Sequence, residues 1–239
     1  MVTSTVLEDR ESTSLHPSAL GLCIRKQMLR VREYEQSHPM SASKKWELRR
    51  FKTYEDYFED GFTGHDVLVG MHEPLTMGLW SGELDFLIQV GKETALVEAK
   101  SVKKSGIRWA PYDHHILQAT CYWIMAHEGD LAVAGLNSLY LAYIERWWES
   151  KEEVPELAQF DITPTQQQIR ETRAAMAAVE EACSVEQLPP LLYVHPEDDP
   201  WQCVKAPRRG APKLVNCEYF SHCWPGMEQQ YSEEGTFPF

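Results

Sequence analysis

The sequence predicts an α/β (α+β) fold, and three stretches carry that expectation. Residues 82–100 read as a β-hairpin, 113–128 show apolar residues at helical spacing, and 139–144 are an apolar run of strand character. At 239 residues the chain can bury a full core as one domain with at most a small appendage.

Taken in order, residues 1–13 are polar and read as a tail. His16-Pro17-Ser18 punctuates the start of a helical segment, Ala19 to Glu35, with Ser18 as its expected N-cap. Lys44 to Phe62 reads as a second helix. Trp46, Phe51, Tyr54, Tyr57 and Phe58 supply its aromatic face, and it ends near Gly61 and Gly64, just before His65. In the hairpin, Phe86 to Val90 is the first strand, Gly91-Lys92-Glu93 the turn, and Thr94 to Val97 opens the second strand. A basic loop, Ser101 to Pro111, leads into the helix Asp113 to Glu128, whose buried stripe is Leu117, Cys121, Ile124 and Met125. Gln118 and Tyr122, four apart, share a neighbouring face of that helix. Trp147-Trp148 follows the strand Leu139 to Ile144. Thr163-Pro164-Thr165-Gln166 then offers an N-cap threonine, a proline at the first helical position and a glutamine in capping-box position. The helix it opens runs to about Cys183, with Ile169, Met176, Val179 and Cys183 on one face. Pro189-Pro190 and Pro196 to Pro200 break the chain into a linker before a compositionally distinct tail from Trp201.

The formal charge of −13 argues against a nucleic-acid partner, but its distribution argues the other way. Of 23 lysines and arginines, nine lie between Arg25 and Lys52, four between Lys100 and Arg108, and four between Lys205 and Lys213. Brought together, those segments make a positive track on an acidic protein. No apolar run approaches a membrane span and the N-terminus lacks a signal-peptide core, so a cytoplasmic protein with no membrane partner is expected.

In that setting six cysteines are thiols or metal ligands rather than a disulfide framework. Cys121 and Cys183 fall on apolar helix stripes and read as packing. Cys203, Cys217 and Cys223 lie in loop-like, aromatic-rich sequence, and Cys23 is the natural fourth member of a four-thiolate site. Zinc and iron–sulfur clusters both accept four thiolates, spacing does not choose between them, and His222 is an alternative zinc ligand.

The hairpin carries the chemistry. Strand side chains alternate, so Glu98 and Lys100 share a face and Asp85 sits beside them once the hairpin closes. Two carboxylates and a lysine suit Mg²⁺ or Mn²⁺ with an ammonium beside an attacking water. Alone, a Glu-x-Lys strand is more often a solvated face or a cross-strand ion pair.

Taken together these residues resemble the RecB-like nucleases of the PD-(D/E)XK superfamily, specifically the CRISPR-associated and phage-encoded exonucleases carrying a 4Fe-4S cluster. The nuclease motifs fall in order: Gly64-His65, Gly82 to Asp85, Glu98-Ala99-Lys100, and Gln118 to Tyr122. The cysteines bracket them, Ser18 to Cys23 and Arg25 at one end and Cys217-Glu218-Tyr219 to Cys223 at the other. The resemblance implies a restriction-endonuclease-like mixed β-sheet flanked by helices, with N- and C-terminal segments joined at the cluster. It implies one domain over residues 14–223: an N-terminal helical segment at 14–62, a catalytic core at 63–150, a helix at 163–183 and a cluster segment at 200–223. Residues 1–13 and 224–239 are tails.

By the same resemblance, His65, Asp85, Glu98 and the carbonyl of Ala99 hold Mn²⁺ or Mg²⁺. Lys100 orients the nucleophile or offsets charge in the transition state, while Gln118 and Tyr122 position the scissile phosphate or an adjacent base. Cys23, Cys203, Cys217 and Cys223 would hold the cluster. The thirteen residues between Cys203 and Cys217 depart from the family's tight spacing and keep Cys183 open as an alternative. Arg25, Lys26, Lys103, Lys104, Arg108, Arg208 and Arg209 would meet backbone phosphates, and Trp109, Tyr112 and Tyr219 are candidates for base stacking. The implied substrate is single-stranded or frayed DNA, degraded from an end with 5′→3′ polarity, in CRISPR spacer acquisition or phage recombination and replication. A CRISPR integrase or phage recombination proteins would be partners, and a homo-oligomer is expected by analogy. The rival readings are a non-catalytic iron–sulfur DNA-binding adaptor and a zinc-stapled protein of unrelated function.

Overall fold

The computed structural model describes residues 14–21, 23–40, 45–46, 54–130, 133–145, 155–189, 191, 203–205, 214–215, 217–227 and 230. Arg208, Arg209 and Trp147-Trp148 lie outside them. The chain divides into two compact units. One is drawn chiefly from His16–Leu22 and Met40–Glu181, the other from Cys23–Pro39 and Ala182–Pro238.

The larger unit is built on a five-stranded mixed sheet in the order β1-β2-β3-β4-β5, formed by Leu68–Met77, Trp80–Val90, Glu93–Val102, Leu136–Glu145 and Leu157–Asp161. The hairpin of the sequence reading is β2–β3. Val90 pairs with Glu93, leaving Gly91-Lys92 as a two-residue loop, and Gly91 takes the positive φ of 65° that the turn requires. Both strands run further than expected, since Trp80 to Asp85 and Glu98 to Val102 continue the sheet. β3 and β4 are parallel, with Lys100 level with Tyr143. Their crossover carries a short helix, Lys104–Ile107, and the long helix Asp113–Glu128.

Two strands of this sheet were not anticipated. β1 contains Gly70 and Pro74 and is half exposed, so no apolar alternation marks it; as an edge strand it tolerates the proline. β5 is a five-residue edge strand that is exposed at every second position.

The helices are numbered in chain order: α1 Ile24–Val31, α2 Glu55–Gly64, α3 Lys104–Ile107, α4 Asp113–Glu128, α5 Gln166–Ser184 and α6 Phe220–Cys223. Phe58 and Phe62 of α2 pack on Phe86, Val97 and Ala142 on one sheet face. α4 packs on β4, β1 and the 3₁₀ turn Pro17–Ala19. As expected, Cys121, Ile124 and Met125 are buried, and the Cys121 Sγ lies 3.6 Å from the Met176 Sδ of α5, so Cys121 is a core residue.

Helix bounds differ from the sequence reading in three places. Of the helix read over Lys44–Phe62, the part described from Glu55 onward is α2, which runs on to Gly64. The segment from Ala19 does not begin a helix: Gly21 adopts φ of +80°, and α1 starts only at Ile24 with Cys23 as its N-cap. Ser18 instead ends in the 3₁₀ turn, where its N–H is taken by His16. The capping box of α5 belongs to Thr165, not Thr163. Thr165 Oγ1 accepts the Gln168 N–H at 3.3 Å, while Gln168 Oε1 accepts the Thr165 N–H at 2.9 Å. Thr163 is used elsewhere, its Oγ1 accepting the Leu139 N–H.

In the smaller unit Leu29, Val204, Val215, Cys217, Tyr219, Phe220 and Trp224 form a buried cluster. It includes a two-stranded ladder, β6 Val204–Lys205 with β7 Leu214–Val215. Arg32 closes this unit by donating to the Glu186 carbonyl at 2.7 Å and to that of Val185.

Candidate active site

The β2–β3 ladder runs to the Phe86–Val97 pair, and just beyond it the acidic residues meet. Asp85 Oδ2 accepts the Ala99 N–H at 2.8 Å, so a side chain takes over where the ladder ends. Glu98 is 1% exposed. Its Oε1 accepts from Lys100 Nζ at 2.5 Å and from Gln118 Nε2 at 2.8 Å, so α4 completes what the hairpin begins. Glu98 Oε2 is buried and has no hydrogen-bond partner. A bare carboxylate oxygen at that depth costs about 1–3 kcal/mol unless something occupies it.

The electrostatics follow from this crowding. Burial, then the neighbouring Asp85, push the Glu98 carboxyl up to about 8, with Lys100 working against them. Burial also raises Asp85, against the pull of Lys100, the Ala99 N–H and His72. Burial disfavours the Lys100 ammonium, yet Glu98 and Asp85 more than offset it and hold its pKa above the usual lysine value. Two buried acids facing one ammonium leave an excess of negative potential that a cation would satisfy.

The residues present fit a divalent ion of the Mg²⁺ or Mn²⁺ type. Such ions use one or two carboxylates and complete their shell with water and substrate oxygens, and here an unpartnered Glu98 oxygen stands beside Asp85. Among the described residues no three His, Cys, Asp or Glu side chains already converge as a closed metal cage.

His65 caps the C-terminal end of α2 and is exposed; none of its described contacts reaches Asp85 or Glu98. The imidazole that acts on Asp85 is His72. The pairs Met71–Phe86 and Glu73–Leu84 straddle it, which sets His72 across from Asp85, and it adopts φ of 54° inside a strand. Its Nδ1 lies 3.1 Å from Glu83 and its Nε2 3.5 Å from Glu55 of α2. A left-handed histidine in a β-strand is strained, and strain of this kind gathers at functional sites. Sequence reasoning passed over His72 because no motif surrounds it; only the β1 register reveals it.

Tyr122 is 2% exposed and close enough to Glu98 and Asp85 for both to act on its hydroxyl. Its ring rests on Gly82, where a Cβ would come within 2.7 Å of Cε1, and its hydroxyl bonds the Gln118 side chain and the Glu83 backbone. Tyr122 therefore steadies Gln118.

The candidate phosphate contacts divide in two. Lys103, Lys104 and Arg108 are exposed around α3, with Arg108 5.2 Å over the exposed Trp109 ring. Tyr112 is turned inward, its hydroxyl donating to the Gly106 carbonyl at 2.9 Å. In the smaller unit Arg25 donates to the Pro189 carbonyl and Lys26 pairs with Glu218 at 2.6 Å, so both are engaged internally. Tyr219 is buried there.

Cys23, Cys203, Cys217 and Cys223 all belong to the smaller unit, as does Cys183 at the end of α5. Cys203 and Cys223 pack against the cluster that contains Cys217, and Lys26 lies close enough to Cys23 and Cys217 to feel both. Burial pushes the Cys217 thiol up to about 12 despite the Tyr219 N–H and Lys26. No cysteine is in a disulfide.

The chain matches no family model and no curated protein. Among solved structures it is similar to one described as "Crystal structure of SSO0001", at 15% identity and a TM-score of 0.41, over 75% of this chain and 77% of that one. At that level the likeness says nothing of activity.

Proposed function

We propose that this protein is a divalent-metal-dependent deoxyribonuclease that trims single-stranded or frayed DNA ends, with 5′→3′ polarity, in CRISPR spacer acquisition or phage DNA processing. The observation that carries the reading is the buried Asp85–Glu98–Lys100 cluster with one Glu98 oxygen left bare. A structural ion pair has no need of a second buried carboxylate beside it, nor of an unsatisfied oxygen. Asp85, Glu98 and the Ala99 carbonyl would hold the ion, with a histidine beside them; His72 is the better placed of the two. When bound, the ion supplies an acidified water and offsets charge on the phosphorus.

The chain's own groups do the rest. Lys100, kept protonated by its two acids, stabilises developing negative charge. Gln118, held by Tyr122, fixes the Glu98 carboxylate in one orientation. Lys103, Lys104 and Arg108 meet backbone phosphates, and Trp109 offers a stacking surface. Cys23, Cys203, Cys217 and Cys223 in one compact unit support a four-thiolate cluster, iron–sulfur by the resemblance.

The test is digestion of end-labelled single-stranded DNA by anaerobically purified protein in Mn²⁺, Mg²⁺ and EDTA, beside Lys100→Ala. Metal-dependent trimming, lowered at least about a hundredfold in the variant while DNA binding persists, is the expected result. Binding without cleavage by the parent protein would give the site to the adaptor reading instead.

A further inference from the structure

A histidine that the nuclease reading does not use stands beside Lys100. His115 is the third residue of α4, and its Nδ1 lies 2.9 Å from the Tyr143 hydroxyl. Tyr143 is fully buried on β4, level with Lys100 across the parallel ladder. Its oxygen already accepts the Tyr112 backbone N–H at 3.2 Å. The hydroxyl proton still needs an acceptor, and the only one within reach among the described residues is His115 Nδ1. Tyr143 therefore donates to Nδ1, which places the imidazole proton on Nε2.

The ring is also held neutral. Burial, then the charges of Lys100 and His114, push His115 down to about 3. Tyr112 packs edge-on against it, with ring centroids 5.4 Å apart, and His114 lies 4.2 Å away. Only half-buried, His115 keeps an Nε2–H with no partner among the described residues. A fixed neutral donor next to an ammonium is suited to an anionic oxygen. It cannot serve as a general acid, because it carries no spare proton.

We propose that His115 is a substrate-binding residue whose Nε2–H, fixed by Tyr143, donates to a non-bridging phosphate oxygen of the DNA strand beside Lys100. This rests on the nuclease reading above. Tyr143 acts through His115 and is a positioning residue.

Long-range ¹H–¹⁵N spectra of the histidine-labelled full chain at pH 7.5 read the tautomer without reference to activity. The expected signal is a single Nε2–H species that disappears in His115→Gln and becomes a tautomer mixture in Tyr143→Phe. An Nδ1–H or imidazolium signal overturns the proposal. Binding of a labelled oligothymidylate to the metal-free protein, and kcat and KM in Mn²⁺, complete the test. His115→Ala should weaken binding by at least about tenfold, the loss of one charge-assisted hydrogen bond, with most of the effect in KM. His115→Gln, whose amide can present a donor near the Nε2 position, should stay within about threefold of the parent. Should the alanine variant fail to fold in a thermal melt, the contrast between the glutamine and Tyr143→Phe variants decides. Parent-like binding by all variants, in a parent that cleaves DNA, overturns the His115 role and leaves the nuclease reading standing. A parent that neither binds nor cuts DNA removes both.

Discussion

At the scale of single residues, the site depends on two groups whose neighbours make them costly. Gly82 has no unusual φ; it is glycine because the Tyr122 ring occupies the space a side chain would need. Gly82→Ala should therefore destabilise the protein by about 1–3 kcal/mol, as overpacking does. A thermal melt would show it as a Tm lower by roughly 2–4 °C per kcal/mol. Cleavage should fall as well, since Tyr122 steadies Gln118. Glu98 is the other group. In the fold it titrates near 8, against roughly 4.3 for a free glutamate, so in metal-free protein its contribution to stability is full below about pH 4 and is lost as the pH rises toward 8. Melts of metal-free protein from pH 5 to 8 should slope downward, and Glu98→Gln should flatten the slope and raise Tm most at pH 8. Asp85, Glu98 and Lys100 were legible in the sequence because a period of two is a local property. His72 and Tyr143 were not, since each matters only through a partner on another element, Asp85 on β2 for one and His115 on α4 for the other.

At the scale of elements, α5 shows how a correct motif can be read in the wrong place. Thr163 and Thr165 flank Pro164, and both start plausible capping boxes. The structure uses Thr165 with Gln168, because Thr163 is needed by the Leu139 N–H at the end of β4. Thr165→Ala should cost about 1 kcal/mol in a denaturant titration, with the slope m unchanged. Thr163→Ala would instead loosen the junction of β4 and α5. The expected strands that lie in the interior of the sheet, β2, β3 and β4, carry apolar runs that announce themselves. The edge strands β1 and β5 do not, because half their residues face water and the apolar signal is diluted.

At the scale of the molecule, the four candidate cluster cysteines come from distant parts of the sequence and share one compact unit. Anaerobic protein should be brown and carry iron, and Cys203→Ser should lose it while Cys183→Ser keeps it. A colourless, zinc-loaded protein would overturn the iron–sulfur assignment. The acidic total charge makes the local basic track testable too. DNA affinity should fall with salt, and removing both Lys103 and Lys104 should reduce the slope of log K against log salt by about 2. Arg25 and Lys26 should matter less for DNA than for folding, because their charges are spent on Pro189 and Glu218.

The sequence by itself determined the hairpin, the existence of α4 and the alternation that puts Glu98 and Lys100 on one face, since each follows from periodicities of a few residues. Burial on α4 runs all round from Gln118 to Ala126 instead of along the single stripe expected. Tertiary structure decided which imidazole faces Asp85, that Gln118 rather than Tyr122 reaches Glu98, and that Tyr143 orders His115 beside Lys100. Those outcomes depend on strand register and on how a helix lies across a sheet, and a register offset of one residue exchanges the faces of an entire strand.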